Sequence, residues 1–456
     1  MRRKSYSRAK NLSKIKRPLD LMGVVGIQNE YIRNAYMNML GVIGGDGLEG
    51  IKYWRWMTKK VEISEQNKNN ILLLLAGICG CVGSTVCAAI GDVKNNSTST
   101  LYRYLMTESE KTIKKIRLPF TPVSHIDIAG WDIQNLSIPE AIENNKVLPY
   151  EKWMKFERWL NKIEVMNFPT GNKVETVINK LRQQIRSIKC RYPHHRAIFV
   201  NLLPATVPYS WKKESIKKVF TSSVKDYPPD LMYSIAAILE NVPLINFTSN
   251  DISHPVLIEL SQQKTVPICG NDGKTGQTYF KMVLASAFAA RCLYVDGWYS
   301  LNILGNMDGK NLSDPTRSAS KIKNKSKVLE DILGYKVGQK YETPSNIVRI
   351  DYYPPRGDCK EAWDVIDFLG IFDMPMSLRI NLQGRDSILA APLIIDLARW
   401  MALIHQAKIG GIIKELAFYF KSPMGNHNYH TFQDQILALY KLGRKLKRNY
   451  EVTHDE

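Results

Sequence analysis

The sequence predicts an α/β protein: a parallel sheet covered by helices on both faces, and a second, more open sheet in the middle of the chain. Three observations carry this. A wholly apolar run, Ile71 to Ala76, ends in a cluster of glycines and leads into a helical pattern. Apolar strand and helix then alternate as far as about residue 250, the pattern of strands buried on both faces. Further on, NIVRIDYY (346–353) and MSLRINL (376–382) alternate apolar and polar residues, as half-buried strands do.

The elements follow in order. Residues 1–18 read as a basic tail expected to be disordered, because eight Lys/Arg lie between Arg2 and Arg17 and no acid precedes Asp20. A transit peptide and a nucleic-acid arm are the other readings of that tail. Residues 19–60 are expected to pack on the core. A helix should start near Ser84, after Gly77, Gly80 and Gly83. His125 to Ala129 is a strand ending in Gly130-Trp131-Asp132, and residues 137–165 look helical. A basic helix (Lys180 to Lys189) leads into a strand from Arg196 to Leu203. A helix (Leu231 to Glu240) and a short strand (Leu244 to Phe247) follow. Residues 300–327 are rich in Gly, Asn, Ser and Lys, and 386–405 and 431–448 return to long helices.

Composition narrows the function classes. The net charge of +20 over 456 residues attracts anions, whether nucleic acid, acidic membranes or phosphorylated metabolites. The cysteine count is odd (7), with no paired CxxC knuckles, and His194-His195 and His427/His430 lack cysteines at zinc-finger spacing; a reduced, intracellular protein is the simplest account. Residues 69–91 carry no formal charge and are long enough to cross a bilayer, but their glycines and cysteines fit a buried strand, a turn and a helix start better.

Two loops have the composition of anion sites. Gly77-Ile-Cys-Gly80-Cys-Val-Gly83-Ser84 follows a strand and opens a helix, which suits a dinucleotide pyrophosphate, although the glycine spacing is GxxGxxG rather than GxGxxG. No acid about twenty positions further on clearly serves a ribose, Asp92 being too early. The second loop, CGNDGKTGQT (269–278), fails as a P-loop because Ile268 stands where its first glycine belongs, but its small residues, its lysine and a helix expected near Thr278 would offer amides to a phosphate. Lys321 and Lys325 share a helix face within SKIKNKSK; they are a solvated basic face unless they converge on an anionic substrate.

Taken in order, these segments resemble the myo-inositol-3-phosphate synthase family. GICGCVGST is similar to that family's GxGGNNGST, IAGWDI to its GWDI, and AAILENVPLIN to ILEGVPYIN. GNDGKTGQT is similar to GDDxKSGQT, NILGNMDGKNLSDP to NHLGNNDGxNLSAP, and SKIKNKSKVLEDI to SKEISKSxVxDDI. PPRGDCKEAWD is similar to PVGDSKxAMD, DSILAAPLIIDL to DSLLAxPLIxDL, and FYFKSP to YWLKAP. The series covers roughly residues 71–450.

The resemblance implies a Rossmann-like NAD-binding domain over 61–278 plus 389–456, with an α+β catalytic and tetramerisation domain, 279–388, inserted between. It implies an isomerase that converts glucose 6-phosphate to a myo-inositol monophosphate by oxidation, enolisation, aldol closure and reduction on one NAD. Such an enzyme is expected to be a cytoplasmic homotetramer with no nucleic-acid or membrane partner. The sequence leaves open whether a monovalent or divalent cation assists.

Lys321, Lys325, Lys360 and Lys421 match the family's active-site lysines. Lys321 and Lys421 would handle protons and oxyanions, and Lys325 and Lys360 would hold phosphate and hydroxyls. Asp272, Asp358 and Asp386 match acids near the nicotinamide and the lysines, with Ser387 beside them on the cofactor side. Thr275, Gly276 and Gln277 would bind phosphate through backbone amides, while Asn302, Leu304, Asn306, Asp308 and Ile350 would shape the sugar site. Gly77, Gly80, Gly83, Ser84, Asp132 and Ile133 would contact NAD.

The departures cluster at the cofactor. Cys79 replaces a glycine and is expected to crowd the pyrophosphate, Cys81-Val82 replaces paired asparagines, and LLPATV (202–207) stands where the family has a TANTER-like segment. Thr275 replaces a serine, and Asn271 replaces an acid before Asp272. Two readings follow: a divergent synthase, or a non-catalytic or substrate-altered relative that binds a sugar phosphate. Retention of all four lysines favours the first.

Overall fold

A computed structural model describes residues 70–95, 101–314, 328–343, 345–425 and 428–455, apart from the side chains of Asp308 and 451–455. The basic tail, the 19–60 segment, Lys321 and Lys325 lie outside the described residues.

Six strands lead the chain: β1 (Asn70–Ala76), β2 (Ile126–Asp132), β3 (Glu164–Asn167), β4 (His195–Asn201), β5 (Leu244–Asn246) and β6 (Pro267–Cys269). Four more follow: β7 (Tyr294–Leu304), β8 (Asn346–Tyr352), β9 (Lys360–Leu369) and β10 (Pro375–Gly384). The last is β11 (Gly411–Ile412). One sheet has the order β11-β6-β5-β4-β1-β2-β3 and is parallel throughout. The other has the order β10-β9-β7-β8; β7 pairs parallel with β8 and antiparallel with β9.

β1 shows why the parallel sheet must be covered twice. Every residue from Ile71 to Ala76 is fully buried. Successive side chains point to opposite faces, so Ile71, Leu73 and Leu75 join one core and Leu72, Leu74 and Ala76 the other. The first core is closed by helices Cys81–Asn95 and Asp386–Gln406. The second is closed by Val174–Arg191, Pro229–Leu239 and Pro255–Gln263. Residues 71–90 are therefore strand, turn and helix rather than one span. Helix Asp386–Gln406 is long and apolar enough to cross a membrane, but most of that stretch is buried inside the protein.

Several boundaries differ from expectation. The first helix begins at Cys81, not Ser84, because Gly80 closes the turn by donating its N–H to the Gly77 carbonyl (3.2 Å). The expected helix over 137–165 is broken into Ile138–Asn145 and the single turn Glu157–Leu160; a Ser137–Glu140 capping box starts the first and left-handed Lys146 ends it. Pro149 and short 3₁₀ turns follow, and β3, unforeseen, occupies 164–167. The helix expected near Thr278 starts at Gly276.

Order reverses at β1, with β2 and β3 on one side and β4, β5, β6 and β11 on the other. Ligands of open α/β sheets bind outside the carboxyl ends of the strands at such a reversal. Gly77 to Gly83 sits there. A Cβ on Gly83 would lie 2.5 Å from the Ile78 carbonyl oxygen and 2.7 Å from that of Gly77. Gly83→Ala should therefore lower unfolding free energy by about 1–3 kcal/mol. Gly384→Ala, where nothing lies within 4 Å of the added atom, should change it by less than about 0.5 kcal/mol. Equal losses in denaturant unfolding would refute this packing.

Candidate active site

The loop after β6 is fastened on two sides by its own backbone. Asp272 N–H donates to the Thr248 carbonyl (2.8 Å) and Gly273 N–H to that of Phe247 (3.0 Å). Residues 419–424 lie alongside: Asn271 N–H donates to Ser422 O (2.9 Å), Lys421 N–H to Asp272 O (2.7 Å) and Lys274 N–H to Tyr419 O (2.8 Å). Position 273 must be glycine, since a Cβ would fall 2.1 Å from the Phe247 ring. Asp272 adopts φ of 61°, a left-handed conformation uncommon outside glycine. This pairing sets Lys421 Nζ 2.8 Å from Asp272 Oδ1, with both side chains buried.

A second ammonium–carboxylate pair lies along the same loop. Lys360 opens β9 and reaches Asp386 Oδ2 at 3.0 Å; Thr275 Oγ1 donates to Asp386 Oδ1 at 3.0 Å. Thr275 is the N-cap residue of the 15-residue helix Gly276–Ala290, yet its hydroxyl makes no capping bond to that helix. The first-turn amides thus have no side-chain cap, an arrangement suited to an anion. Gln277 turns inward instead: its amide donates to Asp364 Oδ2 (2.9 Å), whose other oxygen accepts from Trp298 Nε1 (2.8 Å) and Ser300 Oγ (2.6 Å). The four-stranded sheet in this way holds the start of the helix.

Asp358 forms a third group. Ser387 Oγ donates to both its oxygens (3.1 and 2.9 Å) and Asn306 Nδ2 to Oδ1 (3.1 Å). Burial pushes the Asp358 carboxyl up, and those hydrogen bonds oppose the shift. Asn302, on β7, is buried and donates to the Arg349 carbonyl (3.3 Å). Leu304 packs with Leu312, Ala205 and Ile350. Asn311 Nδ2 donates to Ala205 O (2.8 Å), which brings the loop after β7 to the loop after β4. Asp308 lies in helix Met307–Leu312. The described residues expected on the substrate side lie in 272–277, 302–312, Ile350, 358–387 and Lys421, linked through the Lys421–Asp272, Lys360–Asp386, Thr275–Asp386 and Ser387–Asp358 contacts.

On the cofactor side, Ser84 is buried, donates to the Gly80 carbonyl (2.9 Å) and accepts from Asn145 Nδ2 (3.0 Å). Cys79 is only 1% exposed, its thiol directed at the Leu136 carbonyl (3.8 Å) and pushed up to about 12, first by burial. The side chain expected to crowd the turn instead lies in the core. Asp132 ends β2, directly beside β1, and its Oδ2 accepts the Cys79 N–H (2.9 Å). That is where a Rossmann sheet carries its ribose-binding acid; the usual spacing of about twenty residues misses it, and only the family resemblance named it. Ile133 is 88% exposed next to it.

Residues 276–387 match the family described as myo-inositol-1-phosphate synthase. Inositol-3-phosphate synthase 1 of Bacteroides thetaiotaomicron is 32% identical over 83% of this chain and 94% of its own length. This chain belongs to the inositol-3-phosphate synthase family. The yeast enzyme of that name, from Saccharomyces cerevisiae, is 26% identical over 81% of this chain and 83% of its own. The fold agrees with inositol-3-phosphate synthase from Caenorhabditis elegans (TM-score 0.73, 24% identity, 83% of this chain and 86% of the other). It also agrees with a myo-inositol-1-phosphate synthase-related protein from Thermotoga maritima (TM-score 0.64, 21% identity, 83% and 98%).

Sequence reasoning missed two buried cations that flank this synthase-family site. Lys274 is buried against Gln435 Oε1, the Ala417 carbonyl and Met282 Sδ, and desolvation holds its ammonium well below the usual lysine range. Lys281, one helical turn after Gln277, lies over the Trp298 ring at 5.1 Å and is brought down to about 8 by burial, with Asp364 opposing. Its spacing from Gln277 was a readable signal. Among the described residues no group of three or more His, Cys, Asp or Glu could hold a metal ion. Between about pH 8 and the ordinary lysine value of 10.5, the unfolded chain holds a proton that folded Lys281 has released. Unfolding free energy should therefore rise with pH in that window, by up to about 1.4 kcal/mol per unit. Chemical denaturation of the wild type and Lys281→Met at pH 7.5 to 9.5 checks this; the same slope in both would refute it.

Proposed function

We propose that this chain is an inositol-3-phosphate synthase, an isomerase that converts D-glucose 6-phosphate to 1D-myo-inositol 3-phosphate. The observation that carries the reading is the loop 272–277, bracketed by the ion pairs Lys421–Asp272 and Lys360–Asp386. The substrate phosphate would lie at the N-terminus of helix Gly276–Ala290, where amides and the helix dipole favour negative charge.

The β1 turn fits NAD. Gly83 packs so closely on the Ile78 and Gly77 carbonyls that the turn stays tight before its helix, Gly77 takes φ of +85°, and the Cys79 side chain is out of the way. Gly77, Gly80 and Gly83 would face the pyrophosphate. Asp132 would meet a ribose, Ile133 would offer apolar surface, and Asp386 and Ser387 would border the nicotinamide. Bound NAD supplies a hydride acceptor and donor, so that one oxidation and one reduction cancel over the cycle.

The chain's own residues then deal with charge and protons. Oxidation at C5 acidifies the C6 protons, and ring closure leaves an oxyanion at C1; a fixed ammonium stabilises such charge without reorganisation. Lys421 fits the oxyanion role because Asp272 fixes its ammonium in a water-poor pocket. Lys360, tied to Asp386, fits a role in holding phosphate or hydroxyl oxygen. Asp358, positioned by Ser387 and Asn306, suits a carboxyl near a sugar hydroxyl. By the family resemblance Lys321 would share the handling of protons and oxyanions, and Lys325 the holding of phosphate and hydroxyls.

The same reading carries a division into 61–278 plus 389–456 and an inserted 279–388 domain, a homotetramer and a cytoplasmic location. Exposed Ile347, Trp363 and Met376 on the four-stranded sheet, with exposed Met374 just before β10, support contact with further subunits.

Purified protein incubated with glucose 6-phosphate and NAD should release an inositol monophosphate. Lys421→Met should lower kcat by about 100-fold or more while the chain stays folded. Absence of product from wild-type protein that binds NAD, or an unimpaired Lys421→Met, would overturn the assignment.

A further inference from the structure

A line of buried amides runs behind Asp272. Asn201 ends β4, Asn246 ends β5, and Asn271 follows β6; all three are buried. Backbone groups fix how each amide is turned. Leu203 N–H donates to Asn201 Oδ1 (3.2 Å), so Asn201 Nδ2 faces Asp230 Oδ1 (2.7 Å) and Asn246 Oδ1 (2.9 Å). Asn246 Nδ2 then donates to the Asn250 carbonyl (2.7 Å) and to Asn271 Oδ1 (2.6 Å). Asn271 is left with its NH₂ toward Asp251 Oδ1 (3.3 Å). A carbonyl accepts only, so the direction of the chain is imposed by its ends.

We infer that Asn271 is a positioning residue for Lys421, and that Asp251 carries, across the Asn271 amide, the negative charge that GDDxKSGQT places at 271. Asn271 exchanges backbone hydrogen bonds with Ser422 in both directions (2.9 and 3.2 Å), and its neighbour Asp272 holds Lys421. The side chain at 271 thus sets the register between the two strips of chain that present the ion pair. An acid there could still accept from Asn246, but it would have no proton for Asp251 Oδ1, which already accepts the Ser253 N–H (2.8 Å). Two carboxylates would then face each other in place of the Asn271–Asp251 hydrogen bond, and Asp251, at the surface, would release the 271 side chain.

The inference rests on the isomerase reading of this site. Its test uses the full chain with Asn271→Asp, Asp251→Asn and both together. Asn271→Asp should lower kcat by at least about tenfold with KM changed less than about threefold, because misplacement of a reacting group acts on the chemical step. The double variant should regain kcat to within about threefold of wild type, a coupling that independent sites do not show. Wild-type kcat in Asn271→Asp, or a double variant no better than that single one, would overturn it. Denaturant midpoints measured without substrate give the same cycle independently of turnover. If the wild type makes no inositol phosphate, the isomerase reading fails by itself, while additive midpoint changes would overturn the Asp251–Asn271 coupling and non-additive ones would support it. Should Asn271→Asp not fold, recovery of folding in the double variant supports the inference and failure of both refutes it.

Discussion

The pairing of Lys421 with Asp272 is the contact on which the rest of the site depends. Both side chains are more than nine-tenths buried, and a buried ion pair seldom recovers the full cost of its desolvation. The fold meets that cost with a backbone ladder between 270–274 and 419–424. Residues some 150 positions apart in sequence are held as if they were adjacent strands. The ladder requires Gly273 against Phe247, a left-handed Asp272, and Asn246 beneath Gly270, whose absent Cβ would sit 2.8 Å from that of Asn246. Each is poor for stability on its own and intelligible if an ammonium must stand at one fixed place.

Asp386 extends the same logic across the loop. Its two oxygens receive Lys360 and the Thr275 hydroxyl, so the N-cap residue of helix Gly276–Ala290 is diverted from capping. Gln277 is meanwhile drawn to Asp364 on β9. The helix start is therefore held by side chains from the four-stranded sheet and from helix Asp386–Gln406, while its amides keep their outward direction. The turn after β1 and the loop after β6 both lie at the carboxyl edge of one parallel sheet.

Much of this was legible in the sequence wherever burial leaves a periodic trace. The run Ile71–Ala76, the alternation in NIVRIDYY and the glycine turn all declared themselves. β7 and β9 did not, because their polar members, such as Ser300, Asn302 and Asp364, face a buried polar site and break the alternation. The helix over 137–165 was over-read because an apolar pattern continues past Lys146, while the left-handed residue and Pro149 that end the helix are local signals. Counting residues from the glycine turn passes over Asp132, which the family resemblance named, because the sheet brings it to the turn through neighbouring strands. The amide line from Asn201 to Asn271 left no periodic trace, since its members come from the ends of three separate strands.

The charge of the whole chain proves a poor guide to the site, and its pairing a better one. A net charge of +20 says only that anions are attracted. Within the described site Lys360 and Lys421 already have carboxylate partners, whereas buried Lys274 rests on neutral acceptors and Lys281 on a ring and an amide. On the proposed reading, a dianionic phosphate at 275–277 would meet cations of two kinds. The paired ones are pre-oriented and can exchange or share a carboxylate for a substrate oxygen with little new desolvation. The buried ones are held below their usual proton affinity, and an approaching negative charge makes their protonated form cheaper. On that reading, substrate binding would redistribute charge already taken out of water, the condition under which a few ammonium groups can stabilise short-lived oxyanions.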